Sequence, residues 1–256
     1  MVEPAGHVAV SPCGEILGEL LAAAARHGER RAWVALDLDG TLFDNRPRTL
    51  AILRAFSMAR QTRWPQLAQV VSSLGAVDLR YSPTHALEAA GLDDADLSED
   101  FLPFWRERFF TNTFQLLDAV EPGAVAFARA LCAAGLGVVY LTGRDRPGMM
   151  LGVLQALDGH GFPLMTAQTQ VVLKPDFATG DLEFKRTALR ELGRNGPVVG
   201  LVDNEPAIVN MALASVPGIV SVRMCRAFAP DPPELDGRAR QIVSFECQDA
   251  ETPAFG

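Results

Sequence analysis

Apolar segments that alternate with helix-like segments constrain the fold of this chain more than any other feature. Five segments have the composition of buried strands, and they cover or lie within residues 33–39, 137–143, 163–173, 197–204 and 218–224. Helix-like segments follow at residues 122–134, 147–158, 182–193 and 205–215. Strands that are apolar without regular alternation, and are joined by helices, predict a parallel sheet covered on both faces. The expected fold class is α/β, with a doubly wound, mostly parallel sheet.

One interval of the chain contains no convincing strand. Between Asp44 and Val120 the sequence has helix-like segments at residues 47–61, 64–74, 84–91 and 97–111. Seven aromatic residues of this interval could form a small core of their own: Phe56, Trp64, Phe101, Phe104, Trp105, Phe109 and Phe110. The alternative is that these helices pack against the main domain and form no separate unit. Because the interval begins directly after the acidic end of the first strand, we predict an inserted helical cap.

The chain is therefore expected to contain four regions. They are an N-terminal helical extension (1–32), a core (33–45 and 121–226), a helical cap (46–120) and a C-terminal extension (227–256) with a short candidate strand near residues 240–245.

Composition limits the classes of partner. The 256 residues are 48% hydrophobic and carry a formal net charge of −8, which argues against non-specific binding to nucleic acid or an anionic membrane. The four cysteines (Cys13, Cys132, Cys225 and Cys247) form no cluster, which argues against a disulfide framework or a zinc site and fits a reducing compartment. The first residues lack the pattern of a signal peptide, so a cytoplasmic location is expected.

The first strand ends in two carboxylates, Asp37 and Asp39, followed by Gly40 and Thr41. Burying acids at the end of a core strand is costly unless a cation satisfies them. In open parallel sheets, ligands bind where the carboxyl ends of the strands converge. Polar groups recur at or near the later strand ends, in the order Thr142-Gly143-Arg144, Lys185 and Asp203-Asn204-Glu205. Together these groups predict a binding or catalytic site.

This ordered set resembles the four motifs of the haloacid dehalogenase-like hydrolase superfamily, in its phosphatase branch. The segment "DLDGTLFDN" is similar to the first motif and "YLTGR" to the second. The resemblance covers about residues 33 to 224, interrupted by the predicted cap, and it implies a Rossmann-like core.

The resemblance also implies roles for individual residues. Asp37 corresponds to the nucleophile and Asp39 to the general acid/base. Thr142 corresponds to the residue that holds the phosphoryl group, and Lys185 to the lysine that neutralises nucleophile and phosphate. Asp203 corresponds to a Mg²⁺ ligand, in a metal site expected to include Asp37 and Asp39.

The expected chemistry gives physical reasons for these residue types. A carboxylate nucleophile repels a phosphate dianion, so cationic charge is needed between them, and Mg²⁺ prefers hard oxygen ligands. Asp37 can form an aspartyl-phosphate, and Asp39 can move the protons, a task that favours a raised pKa. Thr41, Thr142 and Gly143 are expected to contact the phosphoryl oxygens.

Some assignments stay open at this point. Arg144 either contacts substrate or is solvated. Lys174 ends a strand but reads as a solvated charge, and the position of Lys185 near a helix start favours it as the motif lysine. Asn204 could supply an oxygen to the metal or orient a metal-bound water. Glu205 is either a supporting residue or an acid at a helix N-terminus.

The favoured function is a Mg²⁺-dependent hydrolase of a small phosphomonoester. Alternatives are a phosphomutase, a polynucleotide 3′-phosphatase and a protein that binds phosphate and Mg²⁺ without turnover. The acidic residue at position 39 argues against the dehalogenase branch, where the second residue after the nucleophile is typically not an acid. The sequence indicates neither the substrate nor the oligomeric state.

Overall fold

Six parallel strands form the central sheet of the protein. A computed structural model describes residues 9–80, 82–89, 91–226 and 228–246. In chain order its strands are β1 (Trp33–Leu36), β2 (Phe43–Asp44), β3 (Ala119–Val120), β4 (Gly137–Asp145), β5 (Thr169–Lys174), β6 (Val198–Asp203), β7 (Val220–Met224) and β8 (Arg240–Ile242). The main sheet has the order β5-β4-β1-β6-β7-β8, and every neighbouring pair is parallel. The predicted α/β class is confirmed.

Helices cover both faces of this sheet. In chain order they are α1 (Cys13–Ala25), α2 (Arg46–Ala59), α3 (Leu67–Ser73), α4 (His85–Ala89), α5 (Ala95–Phe109), α6 (Ala124–Ala133), α7 (Arg146–Gly159), α8 (Asp181–Asn195) and α9 (Pro206–Ser215). Helices α1, α6 and α7 bury Leu20, Phe127 and Val153 in one apolar cluster. Helices α8 and α9 bury Leu189 and Ile208 in a second cluster on the opposite face. The doubly wound layout follows from these two clusters.

The interval between β2 and β3 has an apolar cluster of its own. Helices α2, α3, α4 and α5 contribute to it, and all seven aromatic residues named above lie in it or pack against it. Phe56 and Phe101 are fully buried there, with ring centroids 5.1 Å apart. The aromatic residues of this interval therefore pack mainly on one another.

A short antiparallel pair joins the two ends of this interval. β2 pairs with β3 through Phe43 with Val120 and Asp44 with Ala119. Neither strand is predicted from the sequence, because two residues are too few to show a periodic pattern. The pair places the beginning and the end of the interval side by side, next to the carboxyl end of β1.

The two ends of the described chain meet at β8. This strand confirms the candidate strand near residues 240–245, and Ser11 donates its backbone N–H to the carbonyl of Gln241 at 2.7 Å. Cys132 and Cys225 are free thiols and Cys13 is buried, whereas Cys247 and the two chain ends (1–8 and 247–256) lie outside the described residues. No helix among the described residues has the length and hydropathy needed to span a membrane.

Candidate active site

The carboxyl ends of three adjacent strands bring the predicted site residues together. β1 lies between β4 and β6, so the chain leaves all three at the same edge of the sheet. Asp37 follows β1 directly, Thr142 lies in β4, and Asp203 ends β6. Gly40 has a φ of 73°, a left-handed conformation that favours glycine, and it turns the chain away from the sheet after Asp39.

Asp37 is buried and accepts a hydrogen bond on each carboxylate oxygen. Lys185 Nζ donates to Oδ1 at 2.7 Å, and Thr41 Oγ1 donates to Oδ2 at 3.0 Å. Burial raises the pKa of Asp37 to about 7, although the nearby charge of Lys185 acts in the opposite direction. Additional positive charge beside Asp37 would therefore favour its ionised form at neutral pH.

Lys185 connects Asp37 to Asp203. Its side chain extends from the N-terminal part of α8, and Nζ lies 2.6 Å from Oδ2 of Asp203. All three side chains are buried. Burial alone would lower the pKa of Lys185, but the carboxylates of Asp203 and Asp37 raise it above its usual value. Lys185 is therefore a fixed positive charge between two carboxylates.

Asp39 has a different environment from Asp37. Its Oδ1 accepts hydrogen bonds from Arg144 Nη2 at 2.8 Å, Arg48 Nη2 at 2.9 Å and Asn45 Nδ2 at 3.3 Å, and its Oδ2 accepts one from Arg144 Nε at 2.8 Å. Burial alone would raise the pKa of Asp39, but the charges of Arg144 and Arg48 hold it well below its usual value. The expectation of a raised pKa for Asp39 is wrong, because the sequence did not show that two guanidinium groups lie beside it.

Arg48 and Asp118 are the site residues that the sequence analysis missed. Arg48 is fully buried in α2 and binds both oxygens of Asp118, through Nε at 2.8 Å and Nη2 at 2.6 Å. Asp118 also accepts a hydrogen bond from Arg144 Nη2 at 2.7 Å. Neither residue belongs to a recognisable motif, and they are 70 positions apart in the chain. No local sequence signal indicates that they meet.

The residues at the end of β4 lie beside this cluster. Thr142 is buried, and its hydroxyl oxygen accepts the backbone N–H of Arg144 at 3.2 Å. A Cβ atom at Gly143 would lie 2.5 Å from Oδ2 of Asp181, so any side chain here would displace the Asp181 carboxylate. Arg144 is only 2% exposed, so the alternative of a solvated arginine is wrong. Its contact with substrate stays a prediction.

The structure separates the two candidate lysines. Lys174 is buried at the end of β5 and donates to Oδ1 of Asp181 at 2.7 Å, so the expectation of a solvated charge is wrong. Lys185 is the lysine that contacts Asp37 and Asp203. The contacts therefore favour Lys185 as the motif lysine.

Asn204 and Glu205 differ in what they touch. Asn204 is buried, and its Oδ1 lies 3.5 Å from Thr41 Oγ1. Glu205 precedes the first residue of α9, and its carboxylate accepts the backbone N–H of Ala229 rather than capping the helix. The backbone N–H of Glu205 donates to Oδ1 of Asp203 at 2.9 Å. Glu205 thus supports Asp203 through its backbone.

Mg²⁺ requires several hard oxygen ligands. Among the described residues, no group of three or more His, Cys, Asp or Glu side chains is placed to hold a metal ion. The predicted trio of Asp37, Asp39 and Asp203 is not assembled, because arginines bind Asp39 and Lys185 lies between the other two. Asp37 Oδ1 and Asp203 Oδ2 both accept from Lys185 Nζ, whereas the second oxygens, Asp37 Oδ2 and Asp203 Oδ1, accept from Thr41 Oγ1 and the backbone N–H of Glu205. These second oxygens do not contact the lysine, and carboxylate oxygens are the hard ligands that a divalent cation such as Mg²⁺ prefers.

An aromatic contact joins the helical interval to the loop after β5. Phe110, which follows α5, packs edge-on against Phe177, with ring centroids 4.9 Å apart. Phe177 is 54% exposed, and Lys174 Nζ lies 5.7 Å from the centre of its ring.

A wholly parallel, doubly wound sheet with a buried Asp–Lys–Asp cluster at its carboxyl edge defines an α/β protein of the Rossmann-like class. The sequence matches the family model described as "haloacid dehalogenase-like hydrolase" over residues 32–214. The chain therefore belongs to the haloacid dehalogenase-like hydrolase family. No curated protein matches the chain.

Several solved structures are similar to this one. The protein tyrosine kinase A of Mycobacterium tuberculosis has a TM-score of 0.53 and 17% identity, covering 85% of this chain and 95% of that one. A phosphatase candidate from Clostridium difficile has a TM-score of 0.51 and 13% identity, covering 80% and 90%. A haloacid dehalogenase-like family hydrolase from Streptococcus pneumoniae has a TM-score of 0.50 and 15% identity, covering 83% and 93%. At these identities the similarity shows the fold alone.

Proposed function

We propose that the protein is a Mg²⁺-dependent phosphomonoester hydrolase that works through an aspartyl-phosphate on Asp37. The observation that carries this proposal is the buried contact of Lys185 Nζ with Asp37 at 2.7 Å and with Asp203 at 2.6 Å. A lysine between two buried carboxylates supplies the positive charge that a carboxylate needs before it can approach a phosphate dianion. Membership of a hydrolase family supports the same reaction class.

The proposed reaction has two displacements at phosphorus. In the first, an oxygen of Asp37 bonds to phosphorus while the bond from phosphorus to the leaving oxygen breaks. In the second, water attacks phosphorus, the acyl-phosphate bond breaks, and Asp37 is regenerated with release of inorganic phosphate. Thr41 orients Asp37, and Thr142, with Gly143 beside it, is proposed to bind the phosphoryl oxygens.

Proton transfer is assigned to Asp39. As a base it takes a proton from the attacking water, and as an acid it gives a proton to the leaving oxygen. Arg48 and Arg144 favour its carboxylate form, which suits the base role directly. Before Asp39 can donate a proton to a leaving alkoxide it must first bind one, and the positive charges of Arg48 and Arg144 oppose that protonation.

Asp37 and Asp203 are the residues proposed to hold Mg²⁺, with Asn204 as a further oxygen donor. When bound, the ion supplies positive charge that offsets the charge of the phosphate. The carboxylate of Asp39 is not included in this set, because its hydrogen bonds go to arginines and Asn45.

Residues 46–120 are proposed to act as a cap over this site, separate from a core of residues 33–45 and 121–226. The separate apolar cluster and the β2–β3 pair at its base support this division. A cap favours a small phosphorylated substrate that can be enclosed. A nucleic acid substrate, a membrane surface and a location outside the cytoplasm are not expected.

The test is phosphate release from a panel of phosphorylated metabolites and p-nitrophenyl phosphate, with Mg²⁺ and with EDTA. Hydrolysis that requires Mg²⁺ and is absent in Asp37→Asn supports the proposal. Absence of turnover on every phosphoester, with the fold intact, would instead indicate a protein that binds phosphate without hydrolysing it. Transfer of the phosphoryl group within one sugar phosphate would indicate a phosphomutase.

A further inference from the structure

We propose that Arg48 is a positioning residue that fixes the direction of the Asp39 carboxylate and links it to the placement of the helical interval. This inference rests on the proposed function, because it assigns Arg48 an effect on the residue that moves protons. Arg48 lies outside the recognised motifs.

The hydrogen bonds of Asp39 are unevenly divided between its two oxygens. Oδ1 accepts from Arg48, Arg144 and Asn45, whereas the described contacts give Oδ2 one donor, Arg144 Nε. A carboxylate oxygen has two lone pairs, so Oδ1 is saturated by its two shortest contacts, with Arg144 and Arg48, and the Asn45 contact at 3.3 Å is the longest. Oδ2 therefore keeps a lone pair for a proton, and its direction is set by the arginines.

Asp118 allows the two arginines to lie together. Its Oδ2 accepts from Arg48 Nη2 at 2.6 Å and from Arg144 Nη2 at 2.7 Å. Two guanidinium and two carboxylate groups form a neutral cluster, and Gln115 accepts a further hydrogen bond from Arg144 Nη1 at 2.7 Å. Such a cluster holds its members in one arrangement, since displacing one charge leaves another buried and unpaired.

The cluster also links Asp39 to both ends of the helical interval, because of where its residues lie in the chain. Arg48 lies in the first turn of α2, at the start of the helical interval, and Asp118 directly precedes β3, at its end. Arg48 Nη1 also donates to the carbonyl of Phe109, the last residue of α5, at 3.0 Å. Any displacement of the interval relative to the sheet must therefore break or move a contact of Asp39.

The experiment measures kcat/KM with Mg²⁺ for a series of substituted phenyl phosphates whose leaving groups differ in pKa but little in size. The proteins are the wild type, Arg48→Lys, Asp39→Asn and the double variant. Since kcat/KM reports the steps up to departure of the leaving group, its slope against leaving-group pKa measures proton donation by Asp39.

Lysine keeps the charge of Arg48 but cannot bind Asp39 and Asp118 with the same fork. We expect Arg48→Lys to lower kcat/KM about tenfold for the poorest leaving group and much less for the best, so that the slope steepens. In the Asp39→Asn background the same change should have little further effect, because coupled residues are not additive. If the role of Arg48 were purely structural, Arg48→Lys would leave the slope unchanged, and its effect would add to that of Asp39→Asn.

Arg46→Lys is the matched control, because Arg46 lies in the same turn of α2 and pairs with Asp44 instead. For Arg46→Lys, the slope of kcat/KM against leaving-group pKa should equal that of the wild type. If Arg48→Lys does not fold, Asp118→Asn tests the same cluster and should steepen the slope as well.

A uniform loss across the series, or additive effects of Arg48→Lys and Asp39→Asn, overturns the role of Arg48 while leaving the proposed function intact. A wild-type protein without Mg²⁺-dependent hydrolysis, or an active Asp37→Asn variant, overturns both.

Discussion

Lys185 Nζ lies 2.7 Å from Oδ1 of Asp37, and 148 positions of sequence separate these two buried residues. The contact gives the first prediction. Asp37→Asn should abolish phosphate release, because an amide oxygen is a poor nucleophile, while the fold persists because asparagine has the same shape. Steady-state kinetics and circular dichroism of the purified variant measure the two effects.

The matched control is Asp44→Asn, because the Asp44 carboxylate lies in β2 and pairs with Arg46. It should keep turnover within about threefold of the wild type, because it removes only a partly exposed ion pair with Arg46. Substantial turnover by Asp37→Asn would remove this residue from the nucleophile role.

Lys185→Met should lower both activity and stability. The change leaves Asp37 and Asp203 buried beside each other without a counter-charge, which costs about 3–5 kcal/mol when one partner of a buried pair is removed. Urea unfolding at neutral pH measures the free energy of unfolding. Lys174→Met is the control, and it should cost about 1 kcal/mol or less, because the Asp181 side chain that it contacts is 58% exposed. Equal losses for the two variants would contradict the assignment of Lys185.

Asp203→Asn tests the proposed metal site. Removing one of two carboxylate ligands should raise the Mg²⁺ concentration needed for half-maximal activity by about tenfold or more. Isothermal titration calorimetry of the substrate-free protein should show a matching loss of Mg²⁺ affinity, which is independent of turnover. Glu205→Gln is the control, since the Glu205 side chain binds the backbone of Ala229. Full activity of the wild type in EDTA would argue against a metal requirement.

The main sheet could be predicted from the sequence because its central strands are buried on both faces. β1 and β6 are buried along their whole length, and such uninterrupted apolar runs are visible in the sequence. The four helices α6, α7, α8 and α9 end within about two residues of their predicted limits. β2 and β3 could not be predicted, because their pairing depends on a contact between the two ends of the helical interval rather than on a local sequence pattern.

The candidate site was predictable only where it coincides with strand ends. Asp37 and Asp203 lie at such ends, so their convergence follows from the sheet. Arg48 was not predictable, because its partner Asp118 is distant in sequence and a buried arginine has no local signature. The pKa of Asp39 was mispredicted for the same reason: the charges that lower it come from α2 and β4.

The last prediction concerns Asp100, which joins α5 to the segment after α2. Its carboxylate accepts hydrogen bonds from Trp64 Nε1, Arg60 Nε and Arg63 Nη1, each at 3.2 Å. Burial opposes ionisation, but these hydrogen bonds and the two arginine charges outweigh it, so folding lowers the pKa of Asp100 from 3.8. The resulting stability is present above pH 3.8 and is lost as the pH falls through the folded-state value.

Asp100→Asn should therefore lower the free energy of unfolding by about 1 kcal/mol at neutral pH, given that the arginines are partly exposed. The difference from the wild type should shrink as the pH falls through the acidic range, since the protonated carboxyl group no longer attracts the arginines. Urea unfolding of both proteins at a series of pH values measures this convergence. Asp96→Asn, on the same helix, is the control and should show no such trend, because the Asp96 side chain is exposed to solvent. A stability difference that stays constant from neutral to acidic pH would mean that packing or hydrogen bonding of neutral groups, rather than charge, accounts for the effect of Asp100.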